Sequence, residues 1–206
     1  KGEIIKNGFA KYYNWEPLTY QEWEIFDKRH LFKAFLGKMW KTGFFEMSRG
    51  CPFHCSYCAN HTYQAIFKDL GQYHREKPLE YVIKEIEYKK DRYSLELIFF
   101  NDENFMMVAK DRFEEFCREF KKRINLPFFI QTRAENLLDE KKVKALKESN
   151  CISIGIGLES GSQKIRKEIL KKNTPDDVYI RAFANCNKYN LRTTAYVMIG
   201  LPFETV

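Results

Sequence analysis

Three cysteines fall within eight residues, Cys51, Cys55 and Cys58, in the segment Ser48-Arg49-Gly50-Cys51-Pro52-Phe53-His54-Cys55-Ser56-Tyr57-Cys58-Ala59-Asn60. A C-x3-C-x2-C loop gathers three thiolates, the ligands that zinc and iron–sulfur clusters select. Each thiolate can hold one iron of a cubane cluster. The fourth iron then lacks a protein ligand and can bind substrate, by the logic that keeps a position open at catalytic metals. Gly50 would let the backbone pass close to the cluster. Two other chemistries compete for the same residues. A zinc site would take His54 or His61 as fourth ligand, but structural zinc usually draws two ligand pairs from separate loops, and there is no second pair. A ferredoxin-type carrier needs a fourth cysteine nearby, and Cys117, Cys151 and Cys186 are far away in sequence. The spacing favours an open-iron 4Fe-4S cluster, with His54 and His61 as loop or surface residues.

A reactive loop needs elements to hold it. Phe44 to Ser48 reads as a short strand ending at the cysteine loop. Pro78 to Tyr93 carries a helical stripe of Leu79, Val82, Ile83 and Ile86. Leu95 to Phe100 is a predicted strand, Asp111 to Ile124 a helix, and Pro127 to Thr132 a strand. Asp139 is positioned to cap a helix running to Ser149. Cys151 to Leu158 is the fourth strand, Ser160 with Gln163 fits a capping box, and Thr174-Pro175 opens a further helix. Thr193 to Ile199 is the fifth strand. Strands alternating with helices require parallel pairing with helical crossovers. The expected fold is α/β, either an open doubly wound sheet or a curved partial barrel. The chain stops soon after the fifth strand, so a fragment of a longer protein is expected.

The chain has 206 residues, of which 44% are apolar, enough to bury a core in one domain. No run of apolar residues is long enough for a membrane helix, and the charged N-terminus lacks the apolar centre of a secretory signal. A thiol triplet in such a chain points to a reducing, cytoplasmic compartment. The net charge of +7 owes much to lysines such as Lys141, Lys142, Lys144 and Lys147 on exposed helix faces. They read as a solvated surface, and no nucleic-acid motif accompanies them. Residues 1–42 show no clean period but contain Trp15, Pro17, Trp23, Phe26, Phe32, Phe35 and Trp40. They are expected to form a docked aromatic connector, with the core beginning at residue 43.

The C-x3-C-x2-C triplet, with the aromatic Tyr57 before its last cysteine, resembles the signature of the radical S-adenosylmethionine (SAM) enzymes. In that family the loop follows the first strand of a partial parallel (β/α) barrel. The resemblance runs from about Phe44 to Thr205 and is closest to the cobalamin-dependent branch. Its carriers are Arg49-Gly50-Cys51-Pro52-Phe53, Asn101-Asp102-Glu103-Asn104-Phe105, Gly157-Leu158-Glu159-Ser160-Gly161-Ser162 and Gly200-Leu201-Pro202-Phe203-Glu204-Thr205. The stretch Trp23-Glu24-Ile25-Phe26-Asp27 resembles the connector that joins a cobalamin domain to the barrel. Three features depart from the pattern. Asn101-Asp102 stands where the branch often has two acids, Phe203 where it usually has Gly, and there is no Gly-Gly-Glu segment near residues 100 to 103. The resemblance implies that SAM chelates the open iron and that one electron cleaves it to methionine and a 5′-deoxyadenosyl radical. That radical abstracts hydrogen from a substrate that the sequence does not identify. It also implies a flavodoxin- or ferredoxin-like one-electron reductant. Cobalamin, if used, would come through a domain outside this chain.

Sites of parallel barrels lie at the carboxyl ends of the strands. Alternation along the fourth strand puts Ile152, Ile154, Ile156 and Leu158 on one face and Cys151, Ser153, Gly155, Gly157 and Glu159 on the other. The face of small residues should look into the lumen, with Glu159 at its mouth to accept from a ribose or an ammonium group. Gln131 and Arg133 share a lumenal face of the third strand, where Arg133 could meet a carboxylate or pair with Glu159 or Asp102. Asp102 follows the second strand and is either close to the cofactor or an ordinary turn residue. The expected cofactor-binding set is therefore Tyr57, Asp102, Arg133, Glu159 and Gly200, beside the catalytic and metal-binding Cys51, Cys55 and Cys58. Cys117, Cys151 and Cys186 are expected in the core.

Overall fold

The computed structural model describes residues 2–13, 15 and 19–204; Pro17 and Thr205 lie outside the described residues. In chain order the strands are β1 (Phe32–Phe35), β2 (Lys38–Phe45), β3 (Ser48–Arg49), β4 (Arg75–Glu76), β5 (Leu97–Phe100), β6 (Phe128–Thr132), β7 (Cys151–Glu159) and β8 (Arg192–Val197). The helices are α1 (Ala59–Ile66), α2 (Leu79–Tyr93), α3 (Lys110–Glu119), α4 (Glu140–Glu148), α5 (Gln163–Glu168) and α6 (Asp176–Lys188). The main sheet has the order β1-β2-β5-β6-β7-β8 and curls into a half-barrel. Within this sheet the pairings β2-β5, β5-β6, β6-β7 and β7-β8 are all parallel, which puts those strands' carboxyl ends, and the loops that follow them, at one rim, while β3 and β4 form a separate antiparallel pair.

The sixth strand of the sheet is β1, which pairs antiparallel with β2 and was hidden in the aperiodic N-terminal stretch. The first parallel strand accordingly begins at Lys38 and stops at Phe45, earlier at both ends than Phe44 to Ser48. Its first residues sit on a solvated edge beside β1 and therefore carry no continuous apolar signal. The N-terminal stretch packs through Trp23, which is buried against Phe45 and Tyr93 with ring centroids 5.5 and 5.3 Å away. The buried Lys89 ammonium lies 3.8 Å over the same Trp23 ring.

The helices pack outside the sheet on one large core that includes Ile83, Ile86, Phe100, Phe116, Phe128, Ile154 and Ile156. A second, smaller cluster of Leu97, Phe99 and Phe129, with Phe35, Trp40, Phe44 and Ile152 against it, fills the lumen. Strand phase in β7 departs from simple alternation. Cys151 packs in the outer core and Ile152 in the lumenal cluster, because the β6–β7 register shifts between Phe128 and Phe129. That bulge inserts one residue and reverses the two faces. Beyond it, Ile154 and Ile156 point to the helices, while Gly155, Gly157 and Glu159 face the cavity. Local capping is also redistributed. Ser162, not Ser160, caps α5 through the Ile165 amide, and α6 opens at Asp176, leaving the Thr174 hydroxyl free to bond Glu135.

Candidate active site

The approach to the first cysteine is held by the loop after β5. The buried Asp102 carboxylate accepts from the Met47 amide (3.0 and 3.1 Å), the Ser48 amide (2.7 Å) and the Ser48 hydroxyl (2.7 Å). Glu103 next to it accepts from the Gly50 amide at 3.3 Å. Gly50 has φ +85°, and a Cβ there would collide with the Tyr73 carbonyl, so glycine is required by the backbone and by this close approach. Further along, Gln64 donates to the Cys51 carbonyl (2.8 Å), and the His61 ring donates to the Cys58 carbonyl (2.5 Å). Ser56 donates from its amide to Leu170 (3.0 Å) and from its hydroxyl to Ile169 (2.7 Å).

Cys51, Cys55 and Cys58 are free thiols, and all three line one cavity of about 280 Å³ at the strands' carboxyl ends. Among the described residues no three of His, Cys, Asp and Glu are grouped so as to hold a single metal ion. Each thiol of a cubane holds a different iron, so that cofactor needs no common point. Arg133 Nη1 lies 3.7 Å from the Cys55 sulfur and Asn60 Nδ2 lies 3.5 Å from the Cys58 sulfur. Burial pushes the Cys51 thiol up, with the Arg133 charge opposing it. Such a thiol keeps its proton until a metal replaces it. Three free cysteines on one wall, two of them beside N–H donors, fit a thiolate-held cluster. The other three cysteines are buried in the core, and burial pushes Cys117 to about 12 and Cys186 to about 11.

The opposite wall comes from β6, β7 and β8. Tyr57 donates to Glu159 Oε1 at 2.9 Å, and the buried Lys172 ammonium reaches the same oxygen at 3.0 Å. Neither donor uses Oε2. Lys172 also donates to the Gly157 carbonyl (2.6 Å), and Tyr179 donates to that carbonyl at 3.1 Å. Burial and the Glu159 charge push the Tyr57 phenol well above its ordinary range, so it remains a donor. The space left by the two glycines is filled by this chain itself. A Cβ on Gly155 would lie 2.6 Å from the Tyr196 ring, and one on Gly157 would meet Lys172 Nζ at 2.7 Å.

The expected residues therefore separate. The three cysteines, Tyr57, Arg133 and Glu159 share the cavity. Arg133 is largely engaged already, with Glu135 at 2.6 Å, Thr174 at 3.1 Å and the Phe53 ring 3.9 Å from its guanidinium carbon. Asp102 lies outside the lining and grips the loop base instead. Gly200 also lies outside it, in the turn after β8 at φ +83° with open space around its Cα. Glu103, Lys172 and Tyr196 line the cavity without having been singled out from the sequence. Alternation along the last strand would have offered Tyr196. Lys172 follows a short helix and carries no periodic signal.

Asp102 makes a testable contribution to stability. Burial raises its carboxyl to about 6 despite the donors that favour the ionised form. The folded chain then holds a proton that the unfolded chain, titrating near 3.8, has released. This stabilisation is complete below the unfolded value and is lost as pH rises through about 6. Urea unfolding at several pH values should show wild type losing on the order of 2 kcal/mol more than Asp102→Asn between pH 4 and pH 7. Parallel pH profiles for the two proteins would disprove this.

Comparison with known proteins follows the same lines. A family model described as the radical SAM superfamily matches residues 45–206. An uncharacterized methyltransferase of Pyrococcus horikoshii is 30% identical over 158 residues, covering 77% of this chain and 33% of that protein. The anaerobic magnesium-protoporphyrin IX monomethyl ester cyclase of Rubrivivax gelatinosus is 28% identical over 162 residues, covering 78% of this chain and 28% of that protein. The chain thus spans about a third of the length of these curated relatives. Among solved structures, a radical S-adenosylmethionine methyltransferase from Kitasatospora setae, with cobalamin and a 4Fe-4S cluster bound, superposes with a TM-score of 0.64 at 16% identity. That superposition covers 81% of this chain and 32% of the other. No helix among the described residues is long and apolar enough to cross a membrane.

Proposed function

The chain belongs to the radical SAM superfamily, and from that premise we propose that it is the core of an enzyme that binds a 4Fe-4S cluster through Cys51, Cys55 and Cys58 and reductively cleaves SAM. The observation that carries this reading is the single cavity in which those three thiols face Glu159, Arg133 and Glu103. When bound, the cluster would supply an open iron for the amino and carboxylate groups of SAM to chelate and one electron for the cleavage of its sulfonium bond. The chain's own residues bind and orient. Tyr57 and Lys172 fix Glu159 so that Oε2 is presented to a ribose hydroxyl. Glu103 and Arg133 place charge beside the cysteine wall. The aromatic floor of Phe99 and Phe129 keeps water out of the lumen beneath. Methyl transfer is the reaction supported by the Pyrococcus relative's name, and the cobalamin-bound structural neighbour supports cobalamin as a second cofactor. The cobalamin would come from outside this chain.

The test uses the full-length protein, reconstituted anaerobically. Roughly three to four irons per chain and reductant-dependent formation of 5′-deoxyadenosine are expected. A zinc-loaded, colourless protein, or an iron–sulfur protein that leaves SAM intact under strong reductant, would reject the reading.

A further inference from the structure

Two of the three cysteine sulfurs have side-chain N–H donors beside them, and neighbouring groups hold both donors in place. At the buried Cys55 sulfur the donor is Arg133 Nη1, 3.7 Å away. The Arg133 amide donates to Asn104 Oδ1 at 3.3 Å, which ties down its backbone. Its Nη2 donates to Glu135 Oε1 (2.6 Å) and to Thr174 Oγ1 (3.1 Å), and its guanidinium carbon lies 3.9 Å over the Phe53 ring. Nη1 is the amine left for the sulfur. At Cys58 the donor is Asn60 Nδ2, 3.5 Å away in the first turn of α1. Tyr73 donates to Asn60 Oδ1 at 2.5 Å, which turns the amide so that its nitrogen meets the sulfur.

A cation or an N–H donor at a thiolate favours the state that carries more negative charge. The Arg133 side chain is 12% exposed, so water and salt screen its charge little. Glu135 supplies an opposing charge. Burial works against that charge, yet Arg133 and Thr174 hold the Glu135 carboxyl below the ordinary carboxylate range. We propose that Arg133, and to a lesser degree Asn60, raise the reduction potential of the cluster held by the cysteines, and that Glu135 limits how far Arg133 raises it. The proposal rests on the radical SAM reading. In the step concerned the oxidised cluster gains one electron from an external one-electron reductant, and Arg133 keeps its proton throughout. Arg133 and Asn60 act through the cysteines, and Glu135 acts through Arg133, so all three are positioning residues.

Redox titration of the full-length, reconstituted protein without SAM, followed by the electron paramagnetic resonance signal of the reduced cluster, tests this. Arg133→Met removes the charge and the donor but keeps a long apolar stem. The ratio of reduced to oxidised cluster at a fixed potential should fall about tenfold or more, a downward shift of about 59 mV or more for a one-electron couple. Asn60→Leu should lower the midpoint by less, because its donor is neutral. Glu135→Gln keeps an acceptor for Arg133 and removes the opposing charge, so its midpoint should rise. Shifts of opposite sign from the two halves of one ion pair are not what loosened packing produces. Iron content should match wild type in Asn60→Leu and Glu135→Gln; where Arg133→Met fails to hold its cluster, Glu135→Gln decides. An unchanged or higher midpoint in Arg133→Met, or no rise in Glu135→Gln, overturns the proposal. Wild-type protein without iron, or one that leaves SAM intact under dithionite, overturns instead the reading on which it rests.

Discussion

Alanine at Cys51, Cys55 or Cys58 is expected to remove most of the bound iron and sulfide, each to about the same extent. On the function proposed above each thiol would be the only protein ligand of one iron, and a cubane missing one anchor would have no substitute nearby. Arg133 beside the Cys55 sulfur has no lone pair to ligate, and Asn60 presents its Nδ2 donor to the Cys58 sulfur. Cys117→Ala and Cys186→Ala should keep full iron content and lose roughly 1 kcal/mol of stability, since both sulfurs fill the outer core. Iron and acid-labile sulfide assays on the reconstituted proteins, with thermal melts alongside, distinguish the two groups. A complete cluster in Cys55→Ala would mean that the loop does not ligate it.

The second large effect belongs to Glu159. Replacement by Ala should weaken SAM binding about tenfold or more, because a charge-assisted hydrogen bond contributes roughly 1.5–3 kcal/mol. The structure adds a consequence for folding. Lys172 is 4% exposed, and Glu159 is its carboxylate partner. Glu159→Ala strands that ammonium, at a cost of roughly 3 kcal/mol. Glu159→Gln combined with Lys172→Met removes both charges and should recover much of the stability without recovering SAM affinity. Anaerobic calorimetry and thermal denaturation separate the two quantities. Wild-type SAM affinity in Glu159→Ala would reduce the residue to a partner for Lys172.

Much of this arrangement was legible in the residues. The buried parallel strands β5 and β6 are nearly continuous apolar runs, and α2 and α3 carry clear stripes, so the alternation of strand and helix, and with it parallel pairing, could be read. The cysteine spacing marked one wall of the cavity, and alternation in β7 marked Glu159 on the other. What escaped was the structure that depends on partners distant in sequence. β1 is short and half-exposed and is a strand only because β2 pairs with it. The Ile152 bulge is a matter of register against β6 and leaves no local trace. Asp102 resembles a turn residue or a ligand until the Met47 and Ser48 amides are found beside it, more than fifty residues back in the chain. Lys172 enters the site through the contacts of one loop.

The cysteine loop is tied down by groups that are not metals: Asp102 and Glu103 before it, Gln64 and His61 at its carbonyls, and Ile169 and Leu170 behind Ser56. The entropy of ordering the segment is thus charged to the folding of the barrel and not to the arrival of iron. Cluster chemistry of this kind is vulnerable to oxygen, and a loop that collapsed with its cluster would turn each oxidative hit into a refolding problem. If the cysteines hold the cluster proposed for them, the scaffold would outlive its cargo: a chain stripped of iron would keep its ligands in place, and repair would be a matter of reloading.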